Sequence, residues 1–106
     1  MNKPMRVIVL FDLPVMTQKE RAAATSFRNS LLKEGFYMLQ FSVYARVCNG
    51  IEASSKIENR IMLLAPYNGS IRILTVTEKQ YANIKLVAGK KKEEEKPFKS
   101  YQLSFF

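Results

Sequence analysis

The feature that most constrains this sequence is an apolar run that ends in an acid. Residues 7–11 are five consecutive apolar residues, Asp12 follows them, and Pro14 comes two positions later. Val, Ile and Phe favour a strand, and an unbroken apolar run indicates that both faces of the strand are covered. Because proline cannot extend a ladder, the strand is predicted to stop at about Asp12. We therefore expect an exposed carboxylate at the carboxyl end of a buried strand, where ligands often bind.

Composition limits the possible classes of protein. The chain has 106 residues, enough for one domain, and 47% of them are hydrophobic, which excludes a disordered chain. A single cysteine precludes an intrachain disulfide and fits a reducing cytoplasm. The apolar run before Asp12 is too short for a signal peptide or a membrane span, so we expect a cytoplasmic protein with no membrane partner. The absence of histidine removes histidine bases and most zinc sites.

The charge is strongly positive. The 17 basic and 9 acidic residues give a net charge of +8. Such a balance is typical of proteins that bind polyanions. The alternative is a surface kept soluble by its charge.

The first helix has well-defined boundaries. Thr17 and Glu20 have the spacing of a capping box, which predicts a helix that starts there and runs to about Glu34. Apolar residues recur at helical spacing along it, namely Ala24, Phe27 and Leu31. Gly35 follows and suits the left-handed conformation that ends many helices.

The middle of the chain carries strand signals, a second helix and a further strand. Residues 36–48 are strand-like and form either one long strand or two short ones. Asn49 and Glu52 resemble the N-cap and N3 positions of the second helix, which Pro66 ends. The next strand is predicted over residues 71–76.

The last third of the chain is less regular. Residues 77–80 have the pattern of a cap for one short helical turn, and residues 84–87 are predicted to form a short strand. Residues 90–97 are a charged break. Aromatic residues are frequent after it, so we expect a terminal strand there.

The order of elements predicts an α+β protein with the ferredoxin-like β-α-β-β-α-β fold, in which two helices cover one face of an antiparallel sheet. We expect the first strand and the strand after the second helix to lie side by side at its centre. The chain has no evident spare element for the other face, so a sheet-to-sheet homodimer is predicted. Residues 1–89 would form the domain, and residues 90–106 a charged linker with a C-terminal strand that docks on the partner.

Four motifs in order resemble one protein family, the second of the two core CRISPR adaptation proteins, in a variant similar to those of type II systems. The motifs are residues 9–14, the helix with residues 27–28 and 32–35, residues 40–44, and residues 75–81. Their order and spacing match over about residues 5–90.

The resemblance implies a ferredoxin-like homodimer between two dimers of an integrase partner. That complex captures a short DNA duplex, the spacer precursor, and inserts it into the CRISPR array. The small subunit holds the middle of the duplex without reading its sequence, and the partner performs strand transfer. Some family members are assigned a divalent-metal-dependent nuclease activity on RNA or DNA, and the carboxylate assigned to metal falls on Asp12.

Asp12 is therefore the candidate metal ligand and catalytic residue. One carboxylate is a poor site for Mg²⁺, which requires several oxygen ligands. Two Asp12 residues that meet at a twofold axis would share one Mg²⁺ or another divalent cation and orient a water molecule. The structural alternative is that Asp12 caps the turn at residues 13–14 through its own side chain.

The candidate nucleic-acid-binding residues are basic and occur on the first helix, on a strand and after the last core strand. They are Lys19, Arg21, Arg28, Arg46, Lys90, Lys91 and Lys92. In a dimer each occurs twice, and such a stripe would contact phosphates without reading sequence. Residues 90–95 are equally consistent with a flexible linker, because three acids nearly cancel three bases.

Three functional hypotheses follow. The first is a structural and DNA-binding subunit of a spacer integrase. The second is a stand-alone metal-dependent endonuclease acting on single-stranded RNA or double-stranded DNA, a class that includes toxin-type ribonucleases of this fold. The third is a small regulatory domain that binds a metabolite, which the lack of a glycine-rich phosphate loop and the charge of +8 both disfavour.

Overall fold

The computed structural model of the chain describes residues 3–95. Its elements, in order, are β1 (Pro4–Asp12), α1 (Gln18–Lys33), β2 (Tyr37–Gln40), β3 (Val43–Asn49), α2 (Ile51–Leu64), β4 (Ser70–Thr77), α3 (Glu78–Ala82) and a 3₁₀ turn (Glu93–Glu95). This confirms the predicted α+β, ferredoxin-like fold. The predicted C-terminal strand lies outside the described residues.

The sheet has four antiparallel strands in the order β2-β3-β1-β4. Pro4 lies opposite Asn49 at one end of β1, and Asp12 lies opposite Ser70 at the other end. The strand after the second helix is next to β1, as predicted. It is at the edge, however, and β3 shares the centre with β1. The prediction placed β4 at the centre because its residues are mostly apolar, but only every second one packs under a helix.

The core lies between the helices and one face of the sheet. Phe11 of β1 packs edge-to-face on Phe27 of α1, with ring centroids 5.2 Å apart, and stacks on Tyr44 of β3 at 5.7 Å. Leu31 and Ile61 bring α1 and α2 into the same buried cluster. Tyr44 therefore packs as an aromatic core residue.

The two long helices begin differently. Thr17 and Glu20 form the predicted capping box at α1, and Gly35 after α1 has φ +91°. The predicted cap of α2 is wrong: Asn49 still pairs in β3, and Gly50, with φ +94°, is the N-cap without a side-chain hydrogen bond. None of the helices within residues 3–95 is long and apolar enough to cross a membrane.

Residues 36–48 contain two strands, which resolves the alternative left open by the sequence. β2 and β3 form a hairpin whose turn is made by Phe41 and Ser42, the latter with φ +61°. The predicted strand at residues 84–87 is wrong. This segment makes no strand pairing within the described chain, and Val87 is almost fully exposed there.

The face of the sheet opposite the long helices is only partly covered, and we refer to it as the open face. α3 and the segment after it lie over Arg6 and Ile8, where Tyr81 completes a small cluster. The expectation that the chain has no element for this face is therefore wrong for one half of it. In the other half Leu10 and Leu74 are 37% and 54% exposed.

Candidate metal and nucleic-acid sites

Asp12 is the last residue of β1 and is exposed. Side chains alternate along a strand, so Asp12 shares the open face with Leu10. Gly69 fixes the backbone here: it has φ +109°, and a Cβ atom on it would lie 2.9 Å from the Asp12 carbonyl oxygen and 2.6 Å from Leu13 Cδ2. The turn that contains Gly69 therefore packs directly against Asp12 and Leu13 at the end of the sheet.

One chain offers an incomplete metal site at Asp12. Within residues 3–95 no group of three or more acidic, histidine or cysteine side chains is arranged to hold a metal ion. Mg²⁺ binds through several oxygen ligands in near-octahedral geometry. The described residues of one chain therefore bring no further carboxylate to Asp12 that would complete a cluster of metal ligands.

Arg72 is a cation near Asp12 that the sequence analysis did not select. It lies opposite Leu10 on β4, and Asp12 lies opposite Ser70. Diagonal neighbours of this kind are about 7–8 Å apart between Cα atoms. Both side chains are exposed on the open face. The sequence pointed to Arg72 only through its being the single charged residue in the mostly apolar strand β4.

The cations selected on α1 lie on different sides of the helix. Arg21 donates hydrogen bonds to the carbonyl oxygens of Val15 and Met16, at 3.1 and 3.2 Å. Arg28 is seven residues later and so falls on the same side. Lys19 is two residues from Arg21, about 200° around the helix, and lines a groove beside the end of α2.

Arg46 points to the helical side of the sheet. Its guanidinium donates a hydrogen bond to the carbonyl oxygen of Glu34 and lies over Gly35. It pairs with Val7, five residues from Asp12 along β1, which is about 17 Å at about 3.4 Å per residue. Arg46 is therefore remote from Asp12 and on the other face of the sheet.

The three lysines after the core lie near β2. Lys92 Nζ donates a hydrogen bond to the carbonyl oxygen of Met38, and Lys90 and Lys91 are exposed. The carbonyl oxygen of Glu94 accepts a hydrogen bond from buried Arg6, 2.7 Å long. This segment thus contacts the sheet through Lys92 and Glu94. In one chain the seven selected cations do not form a single stripe.

Arg6 is a charged side chain whose burial the sequence did not predict. It forms an ion pair with Glu78, and its Nη1 donates to the Tyr37 hydroxyl at 2.9 Å. Its guanidinium lies 4.5 Å from the centre of the Tyr81 ring. Its position at the start of an apolar strand was the one sign of burial in the sequence. Because arginine is rarely fully buried, the sequence favoured an exposed side chain. The group is enclosed under α3, which gives it a structural role.

Few of the cations form ion pairs among the described residues. Among residues 3–95, Arg6 pairs with Glu78 and Arg60 pairs with Glu34, whereas none of the seven selected cations forms an ion pair. The protein is thus a small ferredoxin-like protein with a surplus of unpaired surface cations and an exposed carboxylate at the end of a sheet strand.

Comparison with known proteins identifies the family. The model of the CRISPR-associated protein Cas2 family matches residues 5–84. The chain belongs to the Cas2 family, which confirms the resemblance stated from the motifs.

Relatives match along most of the chain, and each bears the name CRISPR-associated endoribonuclease Cas2. The protein from Acidovorax ebreus is 46% identical over 102 residues, 96% of this chain and 100% of the relative. That from Flavobacterium psychrophilum is 43% identical over 101 residues, 94% and 86% respectively. That from Campylobacter jejuni is 48% identical over 89 residues, 83% of this chain but 62% of the relative.

Proposed function

We propose that this protein is the subunit of a CRISPR adaptation complex that binds the duplex DNA of an incoming spacer and bridges two integrase dimers. The observation that carries the proposal is the surplus of solvent-accessible cations without an ion pair among residues 3–95, in a chain of net charge +8. Lysine and arginine contacts to phosphates release counterions and supply affinity that does not depend on base sequence. Such binding suits a protein that has to accept any spacer.

The proposed working unit is a homodimer in which the open faces of two sheets pack together. The exposed leucines of the uncovered half, Leu10 and Leu74, support this arrangement because a second copy would bury them. Asp12 and Arg72 share this face, so each would occur twice near the interface. The cations outside the interface would also be duplicated about the twofold axis.

The test of DNA binding removes the two cations on one side of α1. Arg21→Gln with Arg28→Gln is expected to weaken binding to a fluorescent random-sequence duplex and to flatten its salt dependence by about one unit of slope for each arginine that contacts a phosphate, and thus by up to about four for the dimer. The matched control is Lys79→Gln with Lys85→Gln, which removes two exposed lysines elsewhere. Fluorescence anisotropy over a salt series measures both. Unchanged binding in the α1 variant would exclude this side of the helix as the DNA surface.

A second candidate function is metal-dependent cleavage of RNA or DNA, because relatives at 43–48% identity are named endoribonucleases. The proposed site is one Mg²⁺, or another divalent cation, shared by the Asp12 residues of two chains. Their position on the open face supports this pairing. In this proposal the two carboxylates bind the ion, and the bound ion supplies an activated water molecule.

The metal proposal has a readout that does not depend on cleavage. Titration calorimetry with Mn²⁺ is expected to give one ion per two chains, and Asp12→Asn is expected to abolish that binding. Glu52→Gln removes an exposed carboxylate on α2 and serves as the control. Cleavage of single-stranded RNA and duplex DNA is then compared with Mg²⁺ and with EDTA. Activity that persists in Asp12→Asn would exclude Asp12 as the catalytic residue.

A further inference from the structure

A groove of about 620 Å³ lies at the carboxyl end of α1, between that end, the second half of β3 and one side of α2. Its charged lining residues are Lys33, Glu34, Arg46, Lys56 and Arg60. We call it the basic groove. Asn49, also in its lining, pairs with Pro4, eight residues from Asp12 along β1; that separation is about 27 Å at about 3.4 Å per residue.

Glu34 positions both arginines of the basic groove. Its carboxylate accepts hydrogen bonds from Arg60 Nε and from Nη2, the latter 2.6 Å long. Its backbone carbonyl accepts a hydrogen bond from Arg46. Because a guanidinium has five N–H donors, each arginine keeps donors that can face an anion. The arginine forks are thus oriented before any ligand binds, which lowers the entropy cost of binding.

The charge of the basic groove is not balanced by the described residues that line it. It contains four cations and one carboxylate, and within residues 3–95 Lys33 and Lys56 make no ion pair. Lys33 and Arg46 also have a local role, since cations at the end of α1 offset its helix dipole. That role does not account for Lys56 and Arg60, which lie on α2. Gathering these like charges raises the positive potential of the groove, which attracts a polyanion.

We propose that the basic groove binds the phosphate backbone of a DNA duplex, as a second contact surface separate from the Arg21 and Arg28 side of α1. At about 30 Å³ per water molecule, a groove of about 620 Å³ has room for several phosphate groups. The described lining residues include no aromatic ring on which a base could stack, so the contact is to the backbone alone. This inference rests on the proposed function only for its ligand, duplex DNA.

The test uses the full chain and removes the two lysines that have no ion pair. Lys33→Gln with Lys56→Gln is expected to bind a fluorescent random-sequence duplex roughly tenfold more weakly at low salt, with a salt slope flatter by about one for each lysine that contacts a phosphate, and thus by up to about four for the dimer. Lys79→Gln with Lys85→Gln removes the same charge elsewhere and is expected to stay within about twofold of the unmodified protein. Circular dichroism melting checks that all variants are folded.

Two results would overturn the groove proposal. An equal loss in the control would show that binding follows overall charge, and an unchanged affinity in the groove variant would show that the duplex does not use it. Inorganic phosphate alone is titrated in parallel. If phosphate saturates the groove and the affinity for the duplex is unchanged, the groove proposal is also overturned. The Arg21 and Arg28 variant separates the two proposals: loss there alone leaves the proposed function standing without the groove, whereas loss in neither variant removes both.

Discussion

Arg6 and Glu78 form a bidentate ion pair between β1 and the first residue of α3. Arg6 Nε lies 2.7 Å from Glu78 Oε2, and Arg6 Nη2 lies 2.8 Å from Glu78 Oε1, with side-chain exposures of 0% for Arg6 and 11% for Glu78. Burial by itself lowers the pKa of Arg6, but the hydrogen bond with Glu78 raises it above its ordinary value. Arg6 therefore stays charged, with the Glu78 carboxylate as its ion-pair partner among residues 3–95.

Replacement of Glu78 is expected to destabilise the protein strongly. Glu78→Gln removes the carboxylate that pairs with the buried Arg6 charge, and removal of one partner from a buried pair costs about 3–5 kcal/mol. The measurement is the free energy of unfolding from urea titration followed by circular dichroism. A loss below about 1 kcal/mol, the size typical of exposed pairs, would contradict a buried role for the pair.

The matched control for this prediction removes both charges. Arg6→Met with Glu78→Leu eliminates the desolvation cost of both groups, so we expect it to be more stable than Glu78→Gln alone. A double variant that is less stable than the single one would mean that the hydrogen bonds of Arg6 to Tyr37 and to Glu94 matter more than the ion pair.

The proposed homodimer predicts a difference between two exposed leucines. Leu74 lies on the open face and is 54% exposed, whereas Leu63 lies on α2 and is 86% exposed. Leu74→Glu would place a charge in the sheet-to-sheet interface twice, so we expect dissociation to monomers. Leu63→Glu is expected to leave the dimer intact. Size-exclusion chromatography with light scattering at micromolar concentration measures both, and an unmodified protein that is monomeric there would contradict the dimer.

The turn that holds Asp12 can be tested with two glycines of similar backbone conformation. Gly69 has φ +109° and Gly89 has φ +99°, but only Gly69 has atoms within 4 Å of an added Cβ. Alanine at a positive φ costs about 1–2 kcal/mol. We expect Gly89→Ala to lose about that much and Gly69→Ala to lose clearly more, because its methyl group would collide with Asp12 and Leu13. Equal losses in urea unfolding would show that the close approach adds no constraint.

Local signals explain most of the fold that the sequence predicted. The capping box at Thr17, Gly35 after α1 and the apolar run of β1 each fix a boundary within a few residues. The order of elements then determines the ferredoxin-like topology. The structure confirms that β1 ends at Asp12. The strand stops there because Pro14 follows two residues later.

What the sequence could not predict depends on contacts distant in the chain. Arg6 is buried because Glu78, 72 residues later, is its partner, and no local pattern encodes that pairing. Residues 84–87 have strand-like composition but no adjacent strand edge within the described residues to pair with. Lys33, Lys56 and Arg60 were passed over because single surface charges are common, and only the fold places them in one groove.

The tyrosine pair beside Arg6 predicts a loss of stability at alkaline pH. The Tyr37 and Tyr81 hydroxyl groups are 2.5 Å apart, and burial raises the pKa of both phenols above their ordinary value. An unfolded tyrosine ionises near pH 10, so the stability from these groups is fully present below about pH 10 and is lost as the pH rises further. We expect the urea midpoint to fall less steeply above about pH 10 in Tyr81→Phe than in the unmodified protein. Tyr67→Phe, which removes a fully exposed hydroxyl, is the control, and an identical fall in both variants would exclude the buried pair as the cause.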